Sequence, residues 1–260
     1  MENAIFGTLF AFSYSLLRQF RKDRYGIDRT SIASSTCRGC VGVQLPSLVD
    51  DDCEVLLTGF QPFWRLYAAD VVGARLFVWR PDVPLDEREK LRQRADEALD
   101  FSLPLDLSTG INREVALAFT ALPALDVEAA RRLARLLTVQ DDPLVRHFEP
   151  NASSDSFDPA KRPFVGIIDS DRLVCLAHCS RRTAEACELG IDTLPTARRK
   201  GYALAATVVW TQLILQEGRV PLYSAFAENT ASLHLAAKAG YQTFAYGATF
   251  EIEQHHFSNK

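Results

Sequence analysis

The chain has 260 residues, 47% of them apolar and 24% charged, which is the balance of an ordinary soluble globular protein rather than a disordered or fibrous one. That length supports a core without help from disulfides or metals. With 29 Lys+Arg against 33 Asp+Glu the formal net charge is −4, so no overall basic field draws nucleic acid to it, and no nucleic-acid partner is expected.

The N-terminal apolar stretch, residues 4–17, is shorter than the roughly 20 residues that span a bilayer and follows an acidic leader. Ile5, Leu9, Phe12, Leu16 and Phe20 fit one face of a helix that packs on the protein, so neither an anchor nor a membrane partner is expected. Residues 28–52, rich in Ser, Gly, Cys and Asp, suit a linker. Cys37 and Cys40 have the spacing of half a zinc site and Cys53 offers a third ligand, but a structural site needs four, so free thiols and no metal are expected. Cys175, Cys179 and Cys187 sit in apolar runs and behave as small buried hydrophobes in a reducing, cytoplasmic setting.

The run 75–79 predicts a strand, and "PLDEREKLRQRADEALDF" a solvated helix capped by Asp86. Phe60, Phe63 and Trp64 are core candidates that also suit a pocket lining. From residue 112 the elements follow closely. "EVALAFTAL" predicts a strand, "DVEAARRLARLL" a helix capped by Asp126, and "DDPLVRHF" a short helix. "FVGIID" and "LVCLAHCSR" form a hairpin through residues 170–172, and "ACELGIDTL" is a third strand. Tyr202 opens a helix that is apolar on nearly all sides. "PLYSAFA" is a strand, Asn229 caps a helix that Gly240 ends, and "YQTFAYGATFEIE" is the last strand. Three segments follow: 1–44, an N-terminal helix and linker; 45–111, a small α/β region; and 112–257, the main domain.

Between the third strand and the apolar helix lies "TARRKGYALAA". A strand, a basic turn with Gly201 and then a helix aim backbone N–H groups and the positive end of a helix dipole at one point, where an anion fits. Gly201 lacks a Cβ, so a phosphate can approach the main chain, and Ala203 keeps the first turn thin.

Arg198-x-x-Gly201-x-Ala203 after a strand, followed downstream by "NTASLHLAAKAGY" with Asn229, Ser232, Leu235, Gly240 and Tyr241, resembles the acetyl-coenzyme A site of the GNAT superfamily of N-acetyltransferases. The resemblance covers about residues 112–257 and implies an α/β (α+β mixed) fold, a mostly antiparallel central sheet flanked by helices, with the N-terminal α/β region added to it. It implies acetyl-CoA as cosubstrate. Arg198, Arg199, Lys200, Gly201, Tyr202 and Ala203 would hold the pyrophosphate, Thr193 and Leu194 would offer main-chain groups to the pantetheine arm and thioester, and Asn229 and Ser232 would contact the pantetheine or its neighbouring loop. The reaction implied is acetyl transfer to an amine of a small molecule or peptide by direct attack. The alternative is a noncatalytic acyl-CoA-binding regulatory module on the same fold.

That chemistry passes through an anionic tetrahedral species, which a preorganised N–H near Leu194 would stabilise. A lysine-type amine, with a pKa of about 10.4, must lose a proton before it attacks. Strand alternation puts Glu188, Gly190 and Asp192 on one face, making Glu188 the candidate base and Asp192 the candidate for holding a cationic substrate; pairing with Arg181, Arg182 or solvent is the competing assignment. Many members of the superfamily carry a tyrosine after the leucine of the Asn-led helix as general acid, and this chain has Ala236 there. Ser232, Tyr241 and Tyr246 are the candidate substitutes, while His234, His255 and His256 are given no role. The aromatic C-terminal strands are a candidate surface for a homodimer.

Overall fold

A computed structural model describes residues 53–57, 62–71, 74–102, 110–148 and 157–251. The predicted N-terminal helix, the linker cysteines Cys37 and Cys40, Phe60, His255 and His256 lie outside them. In chain order the strands begin with β1 (Cys53–Leu56), β2 (Trp64–Val71) and β3 (Ala74–Trp79), followed by helix α1 (Leu85–Ala98) and strand β4 (Ile111–Phe119). Next come α2 (Val127–Arg131), β5 (Arg135–Leu136), α3 (Asp142–Phe148), β6 (Val165–Asp169), β7 (Arg172–Arg182) and β8 (Ala186–Thr193). The chain ends with α4 (Tyr202–Gln216), β9 (Val220–Phe226), α5 (Thr230–Lys238) and β10 (Tyr241–Glu251). The fold class is mixed α/β with mostly antiparallel pairing, as the sequence implied.

The described residues divide into two compact units, one of those up to 116 with 226–228 and 244–251, the other of those in 117–225 and 229–243. In the first unit β1 pairs parallel with β3, which pairs antiparallel with β2, and β2 pairs antiparallel with β10. Strands β2 and β3 are buried on both faces, which accounts for sequences such as "RLFVW" that do not alternate. Under α1 lie Leu66, Phe77, Trp79 and Phe250 together with the helix residues Leu91 and Ala95. Trp64 is fully buried in the other cluster, so it is core rather than pocket lining. Asp86 does not cap α1: Pro84 occupies the cap position and Asp86 stands in the first turn, where its charge still suits the helix dipole.

The second unit carries the motifs. Its strands run β9, β8, β7, β6, β5, antiparallel except for the parallel β8–β9 pair. The β6–β7 turn holds Ser170 and Asp171 at φ 52° and 60°, the left-handed pair that a two-residue hairpin requires. Asp126 caps α2 by accepting from the N–H groups of Glu128 and Ala129. That helix is shorter than the sequence predicts, because Arg135 and Leu136 leave it to pair with Gly166 and Val165 as an edge strand. Helix α4 buries residues on every side, among them Ala206, Val209, Trp210 and Ile214, as its uninterrupted apolar sequence requires. One face of β7 packs with α3 around Phe157, Phe164 and Leu176. Cys175, Cys179 and Cys187 are free, buried thiols.

Candidate active site

The site grows from the edge of β8. Leu194 N–H donates to Val174 O at 3.0 Å, and Leu176 stands opposite Asp192 on β7. Main-chain groups alternate between the two edges of a strand, so Ile191 and Thr193 send their N–H and C=O groups the other way, toward β9. There β9 pairs with β8 only from Ala186 to Glu188. Beyond Glu188 the two parallel strands diverge and the β8 edge is left open. The expected N–H of Leu194 is therefore engaged within the sheet, and the open-edge donors are those of Ile191 and Thr193.

The open edge leads into the basic turn. Pro195–Ala197 forms a 3-10 turn closed by Ala197 N–H on Leu194 O at 2.9 Å. Arg198 Nε donates to Thr193 O at 3.3 Å. Arg199 has φ 63° and Gly201 φ 81°, two left-handed residues that turn successive peptide N–H groups inward. For Gly201 that conformation is free of the Cβ strain another residue would carry, and a Cβ added there would meet nothing within 4 Å, so the space before it is open. The first bond of α4 runs from Ala205 N–H to Gly201 O, and Arg198 N–H is bonded to Pro195 O, which leaves the N–H groups of residues 199–204 without backbone partners among the described residues.

Lys200 and Tyr202 tie this turn to β6. The Tyr202 hydroxyl donates to Asp169 at 3.2 Å and the Lys200 ammonium lies 3.6 Å from the same carboxylate. The hydroxyls of Ser170 and Tyr202, with the Lys200 charge, hold Asp169 below the usual carboxylate range. Arg198, Arg199 and Lys200 are all exposed, and Ala203 is half-buried.

Asn229 caps α5, accepting from Ser232 N–H at 3.1 Å, and the Ser232 hydroxyl shares a 2.7 Å hydrogen bond with Tyr223 of β9. Burial raises the Tyr223 phenol above its ordinary value. Ala236 is fully buried.

The geometry changes two of the expected catalytic roles. Glu188 is not a free base. It is 3% exposed, Arg181 donates to its Oε2 at 2.5 Å, and the Ser224 hydroxyl donates to Oε1. Tyr241 is not an available acid: it is 2% exposed, bonded to the Thr211 hydroxyl at 2.6 Å, and burial drives its phenol well above the usual range. Asp192 is exposed, and Tyr246 packs its ring on Phe101 in the first unit.

One residue the motif reading passed over stands on the same face as Glu188 and Asp192. A Cβ on Gly190 would lie 2.7 Å from His178 Cε1 and 2.8 Å from Nε2, so the His178 ring lies across β8 in the space that glycine leaves. A glycine inside a strand was the signal for such a close approach.

A family model described as GNAT acetyltransferase matches residues 155–248. No curated protein matches the sequence. Among solved structures, the chain is similar to a putative GNAT-family acetyltransferase from Novosphingobium aromaticivorans (19% identity, TM-score 0.44, 54% of this chain and 63% of that one). It is also similar to a GCN5-related N-acetyltransferase-like protein from Streptococcus suis (16%, 0.42, 70% and 73%). A GNAT-family acetyltransferase from Colwellia psychrerythraea is a third (13%, 0.43, 68% and 76%). Among the described residues no helix is long and apolar enough to cross a membrane, and no cluster of His, Cys, Asp and Glu is arranged to hold a metal.

Proposed function

We propose that the protein binds acetyl-CoA along the open edge of β8 and at the start of α4, and transfers the acetyl group to an amine of a small molecule or peptide. The observation that carries this reading is the continuity of two features: an unpaired strand edge beyond Glu188 and, directly after it, a left-handed turn with bare N–H groups and open space at Gly201. An elongated ligand with amide groups and a diphosphate matches both. Ile191 and Thr193 would hydrogen-bond the amides, and the N–H groups of the turn, with Arg198 and Arg199, would hold the diphosphate.

Bound there, acetyl-CoA supplies an activated acetyl group. The chain's own contribution is position and charge. The peptide N–H of Ile191 faces the gap between the strands, where it can hold a carbonyl oxygen. Asp192, exposed on the Gly190 face, attracts a cationic acceptor. With the Glu188 carboxylate occupied by Arg181 and Ser224, the amine loses its proton to solvent rather than to that side chain.

Titration calorimetry with acetyl-CoA tests the reading, with Gly201→Glu as the control whose bulk and charge obstruct the diphosphate. Micromolar binding in wild type, lost in the variant, is the expected outcome. Absence of binding to the folded wild type would overturn it. The fully buried Ala236, where the resemblance leads one to look for a tyrosine acid, favours a second reading as a noncatalytic acyl-CoA-binding module. Release of free thiol that depends on added amine separates the two.

A further inference from the structure

His178 of β7 belongs to a strand that flanks β8 on the side away from the gap, yet its ring reaches across β8 because Gly190 has no side chain in the way. The peptide N–H of Ile191, the next residue, points into that gap. The ring is half-buried, its Nδ1 is buried with no hydrogen-bond partner among the described residues, and Phe164 backs it at 6.2 Å between centroids.

Those facts bear on its protonation. A proton on Nδ1 would be a buried donor with no acceptor, and the imidazolium would carry that same orphan donor, an arrangement folded proteins seldom contain. The neutral ring with its proton on Nε2 avoids both. The charged groups around it do not reverse this. Glu188, on the same face, is engaged by Arg181 and Ser224, and Asp192 is exposed to solvent. On β7 itself stand Arg172, Arg181 and Arg182; of the other elements packed on it, β6 carries Asp169, which is bonded by Tyr202 and Lys200, α3 carries Asp142, Arg146 and His147, the turn Pro159–Lys161 carries Lys161, and α4 carries no charged residue.

We infer that His178 is an acyl-group sensor: its Nε2–H, held over Gly190, donates a hydrogen bond to the acyl carbonyl oxygen of the bound thioester beside the N–H of Ile191. The inference rests on the proposed acetyl-CoA site and deepens it. It assigns the chain a means of distinguishing acyl-CoA from free CoA, two ligands that are alike in diphosphate and pantetheine and differ in that carbonyl.

Dissociation constants for acetyl-CoA and for CoA, measured by calorimetry on wild type, His178→Leu, His178→Gln and Gly190→Ala, test it without an acceptor amine. One hydrogen bond from His178 predicts that the ring contributes roughly fivefold to the preference of wild type for acetyl-CoA. His178→Leu and Gly190→Ala, the latter by displacing the ring with a methyl group, should lower that preference roughly fivefold while binding CoA as before. His178→Gln, whose amide N–H stands near the position of Nε2, should keep most of it. In a nitrogen-15 spectrum at pH 7.5 the His178 ring should be the neutral Nε2–H tautomer. A preference undiminished in His178→Leu, a wild type without preference, or an Nδ1–H or doubly protonated ring would each overturn the inference and leave the acetyl-CoA site standing. If wild type binds neither ligand, the proposed function fails and this inference fails with it.

Discussion

Substitution of Glu188 by Gln separates a structural carboxylate from a catalytic one. The side chains of Arg181 and Glu188 are 8% and 4% exposed, with 2.5 Å between Nη1 and Oε2. At an effective dielectric of about 20, two unit charges at that separation attract by about 7 kcal/mol, a gross term that desolvation of both groups largely offsets. Removing one charge leaves the desolvation of the other in place, so the loss on breaking such a pair is about 3–5 kcal/mol. Ser224 adds a second bond to the same carboxylate, which Gln still accepts on its single oxygen. Urea denaturation of E188Q should therefore show destabilisation in that range. The double variant R181M/E188L, which replaces both charges with apolar groups, should recover much of it. If E188Q stays within about 1 kcal/mol of wild type and is nonetheless unable to release thiol to an amine, the carboxylate is a base and the structural argument is wrong.

Tyr241→Phe should leave acetyl-CoA affinity unchanged and lower stability by about 1–3 kcal/mol, because it strands the buried Thr211 hydroxyl; a selective loss of thiol release in a fully stable variant would restore the phenol as an acid. Asp141 is held down from 3.8 to about 2 by the Arg135 guanidinium, with the Thr138 N–H also donating to it. A carboxylate depressed in the folded state stabilises it above its unfolded pKa and loses that contribution as pH falls through the folded one. Asp141→Asn should thus be less stable than wild type near pH 6, with the gap narrowing between about pH 4 and pH 2 in acid-denaturation curves. A gap that does not change with pH would show that the ion pair does not contribute in this way.

The resemblance was legible because it is written in short stretches of chain. The strand, the basic turn, Gly201 and the helix beginning at Tyr202 are contiguous, and so are the Asn229 cap and the Gly240 stop. Periodicity also served where an element faces one environment along its length, as in α4. It overran at α2, where pairing of Arg135 and Leu136 with β6 outweighed their helical propensity. Asp86 has a capping side chain but stands two residues past the cap of α1, because Pro84 already supplies the extended residue that starts the helix.

By itself, then, the sequence determined most of the succession of elements in the second unit and the strand, basic turn and helix around Gly201 on which the proposed ligand site rests, since each depends on neighbours a few residues apart. Only the tertiary structure decided which polar groups remain available. Glu188 is closed off by Ser224 of β9 and Arg181 of β7, Tyr241 by Thr211 of α4, and Leu194 N–H by Val174. The same long-range packing opens the β8 edge at Ile191 and lays His178 over Gly190. A side chain's chemistry is local, but its burial and its partners are set by strands and helices brought together from distant parts of the chain, and these decide whether a carboxylate is a base or half of an ion pair.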